Sequence, residues 1–178
     1  MSYENWHFGG TLCEVPNNIL IELEEFFAYF TQRTPDQLGD TYKQWYVQTS
    51  NINDNIDATF IHWKDENILD NTKRFFSRYV TRICRFRLSL LNEGNEVDYH
   101  TKHVLPRIHI PLNKCVSTMV IKDENGYENF LPLEYGKAYF TNVTKLHKVV
   151  GDLNNARKNA FFCFTDFVDV DAKLKYCR

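Results

Sequence analysis

Apolar residues recur at helical spacing early in the chain and at strand spacing later. Ile19, Leu20, Leu23, Phe26, Phe27 and Phe30 follow Pro16 and Asn17, with Glu22, Glu24 and Glu25 between them. This spacing predicts an amphipathic helix over about residues 17–32. The Thr34-Pro35 pair ends it, because a residue before proline avoids helical backbone. Asp70, Asn71 and Thr72 offer caps for a second helix carrying Phe75, Phe76, Tyr79 and Val80. From Ile83 the pattern changes to short β-type runs. Ile83 to Leu91 is one, and Asn92-Glu93-Gly94-Asn95 turns the chain back into Val97 to His100. Arg107 to Leu112, Val116 to Lys122, Tyr139 to Thr141 and Ala160 to Asp166 follow, with Asp123-Glu124-Asn125-Gly126 as a second hairpin signal. The expectation is one mostly β domain over residues 1–178, with a helical layer over 1–82 and a β-core over 83–170. Many short strands at even spacing predict a jelly roll or barrel.

Composition narrows the classes of function. The 178 residues are 43% hydrophobic and 15% aromatic, which suits a packed core and not a disordered chain. A formal net charge of −2 and the lack of a basic block speak against nucleic acid. Arg82, Arg85 and Arg87 come nearest to a cluster, and their odd and even spacing distributes them over two faces of one strand. Five cysteines without a CxxC pair fit reduced thiols in a cytoplasmic protein. No stretch reads as a signal peptide or a bilayer span, so a soluble protein is expected.

The chemistry concentrates in the histidines. His100, His103 and His109 fall within ten positions, and His147 follows far downstream. Any one of them alone reads best as a satisfied core or rim residue. Together they match the imidazole demand of a non-haem iron site, which takes two histidines and usually a carboxylate. Ser89 to His100, with Gly94 at the turn, resembles the segment of the aspartyl/asparaginyl β-hydroxylase and proline hydroxylase family that leads to the first iron-binding histidine. Arg107-Ile108-His109-Ile110-Pro111-Leu112 resembles that family's Arg-x-His strand. Gly136 to Asn142, then His147-Lys148-Val149 and Arg157, resemble its later elements. The resemblance covers about residues 83–168; residues 1–70 carry none.

This resemblance implies a double-stranded β-helix (jelly-roll, cupin-like) core and an Fe(II)- and 2-oxoglutarate-dependent oxygenase that hydroxylates an amino acid or peptidyl side chain. His100 and His147 would hold the metal, and Arg157, Ser89 and His109 the cosubstrate. Arg107 either binds substrate, lines the cosubstrate pocket or forms a surface ion pair; Asn142 is either a turn residue or a pocket amide contacting substrate. One element departs from the pattern. The His-x-Asp of the proline hydroxylases is here His100-Thr101-Lys102, a cation where a ligand carboxylate belongs. Lys102 either swings away from the metal or pairs with the cosubstrate, or Asp98 substitutes as ligand. A different class remains open: a non-catalytic, cupin-like binding protein derived from an oxygenase. The partner expected is a small amino acid or peptide, with neither nucleic acid nor membrane involved.

Overall fold

A computed structural model describes residues 2–52, 55–101 and 105–177. The first half runs β1 (Gly9–Glu14), α1 (Asn17–Phe30), β2 (Gln37–Leu38), β3 (Tyr42–Tyr46), β4 (Gln48–Ser50), β5 (Phe60–Trp63), α2 (Asp70–Phe76) and β6 (Val80–Thr81). A 3-10 turn, Asp57–Thr59, precedes β5. Then come β7 (Cys84–Leu91), β8 (Glu96–His100), β9 (Arg107–Pro111), β10 (Ser117–Lys122) and β11 (Glu128–Leu133). The chain finishes with β12 (Lys137–Thr141), β13 (His147–Val150), β14 (Arg157–Cys163), β15 (Asp166–Phe167) and α3 (Val170–Tyr176).

Two antiparallel sheets face each other. The major one has the order β1-β12-β9-β14-β7-β3-β2, the minor one β11-β10-β13-β8. This is the jelly-roll, double-stranded β-helix architecture, and among the described residues no helix is long and apolar enough to cross a membrane. The Asn92–Asn95 turn is not a hairpin: β7 pairs with β14 and β3, whereas β8 pairs with β13. The turn instead carries the chain from one sheet to the other, with Gly94 at φ 70, a conformation that costs glycine least. Residues 1–82 are more than a helical layer, since β1, β2 and β3 all join the major sheet.

Period-2 alternation divides the major sheet into an apolar and a polar face. Phe86, Leu88, Ile108, Ile110, Ala160 and Phe162 pack outward with Phe26, Phe27 and Phe30 of α1 and Phe76 of α2. Their neighbours Arg87, Ser89, Arg107, His109, Arg157 and Asn159 turn inward, toward the minor sheet. The helix α1 stops at Thr31, whose hydroxyl donates to the Phe27 carbonyl at 2.6 Å, short of the predicted end. The second helix ends at Phe76, and Val80 belongs to β6. Its expected self-caps are unused. Glu22 on α1 caps it from outside, accepting from the Thr72 amide at 2.8 Å and the Thr72 hydroxyl at 2.5 Å.

Candidate metal and cosubstrate site

Between the sheets lies a cavity of about 430 Å³, within the usual size of a small-molecule site. Its floor is laid out in rows by strand register. Arg157 aligns with Leu91 and Tyr42; Asn159 with Ser89 and Gln44; Phe161 with Arg87 and Tyr46. On the other side of β14, Phe161 aligns with His109 and Cys163 with Arg107. Its roof comes from the minor sheet through Val97, His100, Met119, His147 and Val149.

His100 and His147 are register partners on adjacent strands, with ring centroids 4.2 Å apart. A β-bulge makes this possible. Val149 pairs with Val97 and His147 with His100, so Lys148 alone opposes both Asp98 and Tyr99. Val97 and His100 therefore both face the cavity, although three residues apart. Tyr99 lies outside, under Lys122 and Lys148, and its hydroxyl donates to Glu128. Each ring holds its Nδ1 against a backbone carbonyl two residues earlier, His100 on Asp98 at 2.7 Å and His147 on Lys145 at 2.8 Å. These bonds place the proton on Nδ1 and the lone pair on Nε2 in the neutral ring. Burial pushes His147 down to about 3, so its ring is neutral at physiological pH, the form that ligates metal.

The buried polar floor is under-satisfied. Arg157 is 4% exposed, and its Nε and Nη2 have no hydrogen-bond partner. Burial lowers it to about 10. His109 stacks on Phe161 and accepts from the Asn159 amide at 3.1 Å, which leaves its proton on Nε2, unpartnered. Burial, then Arg157 and Arg107, hold this imidazole well below its ordinary value, so it is a neutral donor. Ser89 lies buried beside Asn159 in the same row. Burial also pushes the Tyr42 phenol up to about 12, keeping it a donor. Orphaned donors around one cavity are what a bound polyanion would satisfy.

Of the residues singled out from the sequence, His100, His147, Arg157, Ser89, His109 and Arg107 all line the cavity. Arg107 is 5% exposed, which removes the surface ion-pair reading. Asn142 does not line it. Fully buried, its amide donates to the Tyr3 carbonyl at 2.8 Å and its carbonyl accepts from Thr144, so it ties down the N-terminal segment. Asp98 is exposed at the bulge and absent from the cavity, so it does not substitute as ligand. Lys102 and His103 lie outside the described residues. Among the described residues, no cluster of three His, Cys, Asp or Glu side chains is placed to hold a metal.

Sequence reading missed Arg85, Arg87, Gln44, Asn159 and Phe161, all on the cavity wall. The signal was present. Arg85, Arg87 and Ser89 alternate along one strand and so share a face.

Comparison with solved structures places the fold. A Pseudomonas putida prolyl-4-hydroxylase superposes with a TM-score of 0.61 at 7% identity, covering 92% of this chain and 94% of that one. An oxidoreductase of the 2OG-Fe(II) oxygenase family from Burkholderia pseudomallei gives 0.58 at 13%, covering 80% and 77%. AviO1 from Streptomyces viridochromogenes Tue57 gives 0.57 at 14%, covering 91% of each chain. At these identities the likeness is one of fold. No protein-family model matches the chain, and no curated protein matches its sequence.

Proposed function

We propose that this protein is an Fe(II)- and 2-oxoglutarate-dependent oxygenase that hydroxylates a small amino acid or peptidyl substrate. One observation carries the reading: two histidines, each with Nδ1 fixed on a backbone carbonyl, face a cavity whose opposite wall holds a buried, under-bonded arginine. The donor set suits a divalent metal held by His100 and His147 through Nε2. Arg157 supplies a fork for the far carboxylate of the cosubstrate, and the Ser89 hydroxyl a further donor to it. When bound, iron and 2-oxoglutarate supply the oxidising power: O2 is consumed, one oxygen enters the substrate C–H bond, the other ends in succinate, and CO2 leaves. The chain's own contributions are positional. The carbonyls of Asp98 and Lys145 fix the two ring orientations, His109 presents a neutral N–H, and Val97, Met119 and Val149 line the roof with apolar surface.

A second reading, a cupin-like binding protein without redox chemistry, draws on the lysine at position 102, where the His-x-Asp pattern has its carboxylate. Anaerobic titration separates the two. Fe(II) with 2-oxoglutarate should give a weak visible charge-transfer band, and admission of O2 should yield succinate. If the protein takes up neither metal nor cosubstrate, the oxygenase reading fails.

A further inference from the structure

The cavity wall carries guanidiniums at both ends. From the Phe161 row onward, at the end away from Arg157, sit three more guanidiniums, those of Arg85, Arg87 and Arg107, all 7% exposed or less. Among the described residues, Asp57 is the carboxylate that accompanies them. Asp57 Oδ1 lies 2.5 Å from Arg85 Nη1 and 3.7 Å from Arg87 Nη2. Arg85 is spoken for: besides Asp57 it donates to the Asn55 carbonyl at 3.2 Å and the Asn55 side chain at 2.5 Å. Arg87 is not. Its Nη1 donates to Gln44 Oε1 at 2.9 Å, but Nε and Nη2 make no hydrogen bond although the side chain is 3% exposed. The guanidiniums of Arg87 and Arg107 both lie over the Phe161 ring, at 5.6 and 5.1 Å from its centroid. A planar, stacked, under-bonded guanidinium is set to receive an oxyanion.

Register separates this end from Arg157. Arg157 pairs with Leu91, four residues along β7 from Arg87, which is about 13 Å of strand. The row of Asn159, Ser89 and Gln44 lies between. We propose that the cavity contains two anion cradles, and that the one built on Arg87, with Arg107 beside it and Asp57 and Arg85 behind, seats a carboxylate or phosphate of the primary substrate. The substrate is thus a small acid. This rests on the oxygenase reading only for the words primary substrate; the second cradle itself does not depend on it.

Selenate, a tetrahedral oxyanion visible by anomalous scattering, is the probe. Crystals of the full chain soaked in selenate should show two sites, one at Arg157 and one at Arg87. Titration calorimetry should count two selenates, falling to one when 2-oxoglutarate and Mn(II) are saturating. Arg87→Gln should remove the second site and leave the first, weakening that event by about ten- to a hundredfold, the worth of a charged hydrogen bond or two. Arg87→Lys, which keeps the charge and loses the fork, should fall between. Displacement of the second selenate by propionate or by methyl phosphate then tells a carboxylate from a phosphate. A wild-type map with selenate at Arg157 alone overturns the second cradle and spares the cosubstrate reading. Displacement of the Arg87 selenate by 2-oxoglutarate also overturns it, since that end would then be the cosubstrate's. Selenate at Arg87 that persists while 2-oxoglutarate fails to bind anywhere supports the cradle and removes the oxygenase reading. The wild-type measurements need no variant to fold.

Discussion

Arg157 is a cation buried without adequate compensation, and replacing it should separate stability from binding. Its fall from 12.5 to about 10 means that the folded protein disfavours the charged form by roughly 3 kcal/mol at neutral pH. The sign is that of a lowered base: the penalty is fully present below the folded value and lifts only as the pH rises through it. Arg157→Met keeps the length and discards the charge. In the ligand-free protein the melting temperature should therefore hold or rise, with a ceiling of about 6–12 °C for a chain of this size. Affinity for 2-oxoglutarate should move the opposite way, falling by about 2–4 kcal/mol because its carboxylate loses a buried charge partner. Differential scanning calorimetry without ligand, and anaerobic titration calorimetry with Mn(II) in place of Fe(II), read the two effects. A variant that melts several degrees lower would make Arg157 a structural residue. One that binds 2-oxoglutarate as the parent does would place the cosubstrate elsewhere.

Other outcomes follow from single contacts. His100→Ala or His147→Ala should abolish Mn(II) binding followed by electron paramagnetic resonance, since each removes half of a two-histidine set; retained affinity would mean other ligands. Lys102→Asp, which restores the His-x-Asp spacing, should tighten Mn(II) by about tenfold or more through exchange of a cation for a ligand; an unchanged affinity would show that position 102 does not reach the metal. Phe162→Ala should cost about 3–5 kcal/mol in urea unfolding, because the ring is fully buried between Phe76 and Phe86, at 5.3 and 5.7 Å. Glu22→Ala should cost about 0.5–2 kcal/mol by uncapping α2, with the loss confined to the helical layer in hydrogen exchange.

Local patterns carried much of this protein. The first helix was legible because Ile19, Leu23, Phe27 and Phe30 repeat at a period only a helix satisfies. The strands of the β-core were legible from alternation, and that alternation also put Arg107 and His109 on one face of their strand. Elements whose pattern is broken by their surroundings were not. The strand β11 contains Pro132 and an exposed Phe130, tolerable because it is the edge of the minor sheet. Nothing local says that Glu22 rather than Asp70 would cap the second helix, since the two lie far apart in the chain. Nor could Asn92–Asn95 reveal that it crosses between sheets, because turn chemistry is the same for a hairpin and a crossover while pairing depends on distant strands. Tertiary structure alone decided that Asn142 anchors the N-terminal segment, that a bulge opposite Lys148 turns His100 inward, and that Arg87 ends buried with two unsatisfied nitrogens. Spacing can bring candidate ligands to one face of one strand; the charge left over in a cavity is a sum over strands that only packing brings together.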